Sequence, residues 1–190
     1  MTEENRKRRE AYEWVRALVG TVVAAGLVFT FVVRLVRVDG ESMRETLQHN
    51  DSLLALNSWL CGGYQAGDII ILAKPEFENG APIVKRVIAT GGQTVDIDFG
   101  SGTVYVDGSA LEEEYIRELT LTPEGLDFPV TLAENELFVM GDNRNDSSDS
   151  RLPEIGPVDT RHVLGRAVLL VLPGETVDLG KREWNRIGPV

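Results

Sequence analysis

Few residues in this chain could carry out hydrolytic chemistry. A serine nucleophile needs a base, and the usual one is a histidine held by a carboxylate. The histidines are His49 and His162. His49 sits in the polar turn Gln48-His49-Asn50-Asp51, seven residues after Ser42, and His162 opens an apolar run, so each reads as a surface or strand-edge residue. Lysine is the other base for serine, provided that burial lowers its pKa enough to leave a neutral amine. Beyond residue 37 there are three lysines. Lys74 precedes Pro75 and Lys181 lies in a charged tail, so both read as solvated. Lys85 lies within Ile83-Val84-Lys85-Arg86-Val87-Ile88-Ala89. Period-two alternation puts it on one face with Ile83, Val87 and Ala89, and Arg86 on the other. Such a lysine is either a partly desolvated amine or a guard against pairing on an edge strand. The densest polar cluster runs from Gly141 to Arg151, directly after Leu137-Phe138-Val139-Met140. Its two arginines and the lack of EF-hand spacing speak against a calcium loop. A solvated turn and a hydrogen-bonded scaffold around a site both stay open.

The elements that must position these residues divide at about residue 37. Ala17 to Val33 is a run of 17 residues without a charge, and Leu35 and Val36 extend it past Arg34 to 20. At about 1.5 Å per residue this predicts a transmembrane helix over 17–36, roughly 25 to 30 Å long. Gly20, Thr21, Gly26 and Thr30 do not make a polar face, as a core helix would require. The exit Val33-Arg34-Leu35-Val36-Arg37 lacks the small residues of a cleavable signal. Basic residues crowd the N-terminal flank, with Tyr12 and Trp14 suited to an interfacial belt. Residues 1–16 are therefore expected in the cytoplasm and 37–190 outside.

After Gly40 the pattern becomes short alternating segments separated by Gly, Asn, Asp and Pro. It predicts an antiparallel all-β domain with strands over 52–56, 68–72, 83–89, 94–97, 103–106, 136–140 and 163–172. Phe99-Gly100-Ser101-Gly102 and Asp107-Gly108 are turn signals, and 112–129 reads as an exposed excursion. The chain has 190 residues, a formal charge of −11 and a pI near 4.7. That bounds it to one domain plus the helix and excludes nucleic acid as a partner, since such binding needs clustered Lys and Arg. Cys61 is the single cysteine, so neither an intrachain disulfide nor a cysteine metal cluster can form.

Three separated segments together resemble the type I signal peptidases. They are Gly40-Glu41-Ser42-Met43-Arg44-Glu45-Thr46-Leu47, Val84 to Ala89, and Gly141 to Arg151, which matches GDNR, three residues ending in Ser, one residue, then DSR. Gly67-Asp68 matches a shorter motif between them. The resemblance implies a membrane-bound serine endopeptidase that removes signal peptides from exported preproteins. It would cut after small residues of the Ala-x-Ala type, in a bacterial plasma membrane, without metal or cofactor. Carried over by position, Ser42 would be the nucleophile, Lys85 the general base and Ser147 the hydroxyl that orients the amine. The backbone of Ser42, with Gly40 as a candidate second donor, would hold the oxyanion. Arg86, Asp142, Arg144, Asp149 and Arg151 would form ion pairs in the walls of the site.

Two positions depart from the pattern. Glu45 stands where the family usually has proline, and a carboxylate there is expected to raise the pKa of Lys85. The spacing from Arg151 to Gly156 is longer than in some members. The alternatives are a self-cleaving Ser/Lys repressor-type protease, disfavoured by the apolar helix, and an inactive membrane-tethered β-domain, disfavoured by retention of both Ser42 and Lys85.

Overall fold

A computed structural model describes residues 3–175 and 182–190; Lys181 lies outside the described residues. The chain begins with one long helix, α1, Glu3–Phe31. Its first half is polar, with Arg6–Glu10 and Arg9–Glu13 pairs one turn apart. Its second half is apolar, and there Thr21 and Thr30 return their hydroxyls to the carbonyls of Ala17 and Gly26 at 3.0 and 2.7 Å. No polar side chain in that half needs water. The stretch Asn5–Phe31 is long and apolar enough to cross a membrane, and none of it is buried in the protein.

The expected helix over 17–36 is cut short. It ends at Phe31, and Val33–Arg37 forms strand β1, paired antiparallel with β2, Ser52–Asn57, from Val33 opposite Leu56 to Arg37 opposite Ser52. An uncharged run says nothing of helix against strand once it meets a ladder partner, and Val33, Leu35 and Val36 suit a strand. Ser42 therefore lies one strand and one turn beyond the helix.

The remaining strands are β3 Ile69–Leu72, β4 Ile83–Thr90, β5 Thr94–Asp98, β6 Thr103–Val106, β7 Ser109–Ala110, β8 Val130–Thr131, β9 Glu136–Met140, β10 Val158–Asp159, β11 Val163–Leu172 and β12 Gly188–Pro189. One sheet runs β1-β2-β11-β3-β4-β9-β10, with β12 also on β11, and a smaller one runs β7-β6-β5-β8. All these pairings are antiparallel. The seven strands expected from alternation are present. The two-residue strands are too short to carry a period. Asp107 and Gly108 both adopt positive φ in the turn between β6 and β7, the backbone a tight hairpin demands.

The expected face of β4 is broken partway. Ile83 and Val87 pack with Ile70, Leu72 and Val139, whereas Ala89 packs with Ile88, Phe138 and Met140. A bulge between Val87 and Ala89 shifts the register against β9 and turns the chain. The 112–129 segment is exposed along most of its length, as expected, but it is tied down. Thr120 is fully buried with its N–H on the Gly102 carbonyl at 3.1 Å, and the Leu126 N–H reaches the Arg151 carbonyl at 2.9 Å.

Candidate active site

The segment carrying Ser42 is the loop from β1 to β2, and it is bolted down at both ends. Val38 and Asp51 continue the ladder, with Val38 N–H to Asp51 O at 2.8 Å and Asn50 N–H to Val38 O at 2.9 Å. Met43 and Leu47 sink into the core beneath it. The buried Asp51 carboxylate takes N–H groups from Gln48 and Gly174 and both ends of the Arg186 guanidinium. The C-terminal segment thereby holds the loop, an arrangement no local pattern in the sequence announces.

Lys85 projects from β4, opposite Ile70 of β3, and meets Ser42 at its tip. Its Nζ donates to Ser42 Oγ at 2.7 Å. Lys85 is 3% exposed. Burial pushes its pKa down from 10.5 to about 8, against the opposing pull of the Asp149, Glu124, Glu78 and Asp142 carboxylates. Glu45, expected to raise this pKa, is not among those groups; its side chain is 66% exposed and lies 3.9 Å from Arg117. Lys74, expected to be solvated, is half-buried and donates to the Ile155 carbonyl at 2.5 Å.

Ser147 lines the same cavity of about 420 Å³ as Ser42, Lys85 and Gly40. Its hydroxyl is buried and makes no hydrogen bond, so it is near the amine's cavity without being bonded to it. Of the neighbouring serines, Ser148 also lines this cavity and Ser150 is turned away from it. Ser148 is exposed, and Ser150 Oγ accepts the Val139 N–H at 3.0 Å.

The polar cluster from Gly141 to Arg151 is a buried scaffold, not a solvated turn. Arg86 and Asp142 form a two-pronged pair, Nε to Oδ1 at 2.8 Å and Nη2 to Oδ2 at 2.7 Å. The Thr46 hydroxyl joins Asp142 from the nucleophile loop at 2.5 Å, and the Tyr115 ring covers Arg86 with its centroid 4.1 Å away. Asp149 binds Arg151 through both carboxylate oxygens and accepts the Gly141 N–H at 3.0 Å. Arg144 is fully buried and pairs with Glu113 and Thr120 of the excursion.

Asn143 was missed by the sequence reading. Its backbone N–H donates to the Ser42 carbonyl at 3.0 Å and its side-chain amide to the Glu41 carbonyl at 3.2 Å. The candidate second oxyanion donor is otherwise engaged. Gly40, at φ +97°, gives its N–H to His49 Nδ1 at 3.1 Å, so that N–H does not face the cavity unpaired.

A neutral amine in contact with a hydroxyl can take up the hydroxyl proton as the oxygen attacks a carbonyl. The family model described as signal peptidase, peptidase S26, matches residues 11–172. This chain belongs to the signal peptidase family. It is 34% identical over 183 residues to signal peptidase I of Bacillus licheniformis, covering 91% of this chain and 96% of that one. The probable signal peptidase I-1 of a Synechocystis strain is also 34% identical, over 93% of this chain and 86% of the other. Signal peptidase I S of Bacillus subtilis strain 168 is 35% identical, over 80% and 84%. The chain is accordingly a peptidase, a hydrolase whose family acts on signal peptides, and its apolar N-terminal helix supports a membrane anchor.

Proposed function

We propose that the protein is a single-pass bacterial plasma-membrane enzyme that cuts exported preproteins after small residues, with Ser42 as nucleophile and Lys85 as general base. The observation that carries this reading is the 2.7 Å contact between Lys85 Nζ and Ser42 Oγ, made by an amine 3% exposed.

In its neutral form Lys85 accepts the Ser42 proton as Oγ attacks the scissile carbonyl. The resulting ammonium gives that proton to the departing amine, and the freed amine then activates the water that releases the acyl-enzyme. The developing oxyanion takes the Ser42 N–H. With the Gly40 N–H held by His49, a second donor comes from another group or from water. Ser147, whose buried hydroxyl lies in the wall of the same cavity, is the group that orients the amine in this reading. The Arg86–Asp142 and Arg151–Asp149 pairs hold the walls.

The edge of β4 at Ile83–Lys85 pairs with β3 on one side, while β9 joins only from Arg86 onward. Its other side is free among the described strands, and an extended peptide can add there. Beside it a cavity of about 510 Å³, with Val36, Ala55, Ile71, Pro82 and Val84 on its apolar side and Arg34, Arg37 and Asp39 also in its lining, takes side chains ahead of the cut. The basic N-terminal part of α1 belongs in the cytoplasm and the β-domain outside.

The test is incubation of the detergent-solubilised protein with a preprotein whose signal peptide ends in Ala-x-Ala, with the cut mapped by mass spectrometry. Cleavage after the second alanine is expected from the native chain and none from Ser42→Ala. Cleavage by Ser42→Ala would end the reading.

A further inference from the structure

The cavity that holds Ser42 and Lys85 is acidic. Asp39, Glu41, Glu78, Glu124 and Asp146 line it, and among the described residues Lys85 is its one basic group. In the proposed mechanism that lysine is neutral when it acts, so it does not offset the negative charge at that moment. Two of the carboxylates have a guanidinium beside them, Glu41 with Arg44 at 3.0 Å and Glu124 with Arg151 at 3.6 Å. Glu78 and Asp146 are exposed and form no ion pair among the described residues. Glu78 also occupies a strained backbone. It has φ +46°, followed by Asn79 at +55° and Gly80 at +78°, in the turn ahead of β4. Glycine would sit at position 78 with less strain, so a carboxylate held there at a cavity rim points to a use.

A second observation marks the cavity as one that receives a chain. Ser147 is 7% exposed and lines it, and its hydroxyl makes no hydrogen bond. Buried polar groups are normally satisfied, and a hydroxyl has one donor and two acceptor sites, enough to serve the amine and an occupant together.

Alternation along β4 indicates which part of the substrate enters. Pro82 and Val84 line the cavity assigned to side chains ahead of the cut, whereas Ile83 and Lys85 line this one, so the two open on opposite faces of the strand. A peptide extended along that edge sends alternate side chains to each. With the small residues one and three before the cut on the first face, the residue just after the cut falls on the second. The residue between the two small ones shares that face ahead of Ser42.

We infer that this cavity selects for a positively charged side chain at the first residue after the cut, with Glu78 and Asp146 as the groups that read it. The inference rests on the reading proposed above. A basic side chain there meets carboxylates that have no cation of their own, and an acidic one meets like charge. Each exposed pair of this kind changes an equilibrium by up to about five-fold, and salt weakens it.

The test gives the full chain, in a nonionic detergent, three preproteins that differ only in the residue after Ala-x-Ala, which is Arg, Gln or Glu. The comparison is kcat/KM at about pH 9, where Lys85 is mostly neutral. Arg should exceed Glu by about ten-fold at low salt, with Gln between, and the ratio should shrink towards one in about 0.5 M salt. Glu78→Gln and Asp146→Asn should each lower the Arg-to-Glu ratio several-fold, and Asp146→Lys should lower it further. Both substrates meet the same enzyme, so the ratio does not depend on how much of a variant is folded. Equal cleavage of all three preproteins leaves the Ser/Lys reading standing and overturns the inference, as does a ratio that survives in the Glu78→Gln, Asp146→Asn double variant. A second set varies the residue between the alanines instead, and a charge preference confined to that set overturns the assignment. Failure of the parent to cut any of the preproteins ends both readings.

Discussion

Gly141 packs against Ser147 so closely that a β-carbon on the glycine would overlap the serine hydroxyl and, on its other side, the Ser42 carbonyl. The strand end after β9 thus passes between the two serines with room for hydrogen alone. Gly141→Ala must push the nucleophile loop and the Ser147 wall apart. Overpacking of this kind costs about 1–3 kcal/mol of stability, and a shift of about 1 Å at a reacting pair costs on the order of 100-fold in rate. We expect kcat to fall by that order with a modest drop in Tm, measured by peptide cleavage and thermal unfolding. Near-normal kcat would show that the two serines need not keep their spacing.

Lys85 ties activity to pH with a definite sign. In the proposed mechanism the neutral amine is the base, so the rate should rise with pH through a midpoint near 8. Lys85→Arg should abolish turnover, because guanidinium stays protonated. Stability should follow the same group. Between about 8 and 10.5 the unfolded lysine binds a proton that the folded one has released, so the fold gains stability as pH rises through that window. Below it the buried ammonium costs the fold about 3 kcal/mol, at about 1.4 kcal/mol per pKa unit. Lys85→Met should therefore be inactive and yet more stable than the parent at pH 7. A less stable Lys85→Met would mean that the amine contributes more through Ser42 than it loses by burial.

Much of this site is legible in sequence because its residues sit at fixed spacings on strong elements. Ser42, Lys85 and the GDNR segment are readable as types in order, and alternation around Lys85 points to a desolvated amine. The reading fails where the deciding contact is long-range. The helix over 17–36 loses its last residues to β1 because hydropathy does not register the ladder with β2. The bulge at Val87–Ala89 breaks an alternation that looks regular in the sequence. Asn143 lies in a motif that was quoted, but its grip on Ser42 needs a loop 101 residues away in the chain. The hydrogen bond from the Gly40 N–H to His49 Nδ1 spans nine residues, and no local pattern marks it.

That contact gives His49 a positioning role that can be separated from catalysis. His49 Nδ1 accepts the Gly40 N–H two residues before Ser42, and Asp39 Oδ1 lies 3.3 Å from the same nitrogen. One lost hydrogen bond of this kind is worth about 1 kcal/mol, or roughly five-fold in kcat/KM. We expect His49→Ala to lose about that much, mainly through KM, and His49→Asn to recover part of it by offering an amide oxygen. Abolished turnover in a folded His49→Ala protein, beside a tolerated Lys85→Arg, would replace the Ser/Lys reading with a histidine base.

The carboxylates around Lys85 make a graded series. Glu124 and Glu78 hold its pKa up from where burial alone would put it, whereas Glu45 lies out by Arg117. Neutralising a group that favours the ammonium makes the amine easier to deprotonate. Glu124→Gln and Glu78→Gln should each move the pH–rate midpoint downward by less than a unit, with kcat at high pH little changed. Glu124 also lies 3.6 Å from Arg151, so its variant should lose some stability as well, and Glu78→Gln is the cleaner of the two. Glu45→Gln should leave the midpoint where it is. The measurement is kcat/KM against pH for the three variants and the parent in one detergent. A downward shift in Glu45→Gln equal to that of Glu78→Gln would mean that the nucleophile loop closes over Lys85 during turnover and brings Glu45 with it. An upward shift in either of the other two would contradict the proposed role of Lys85 as the titrating base.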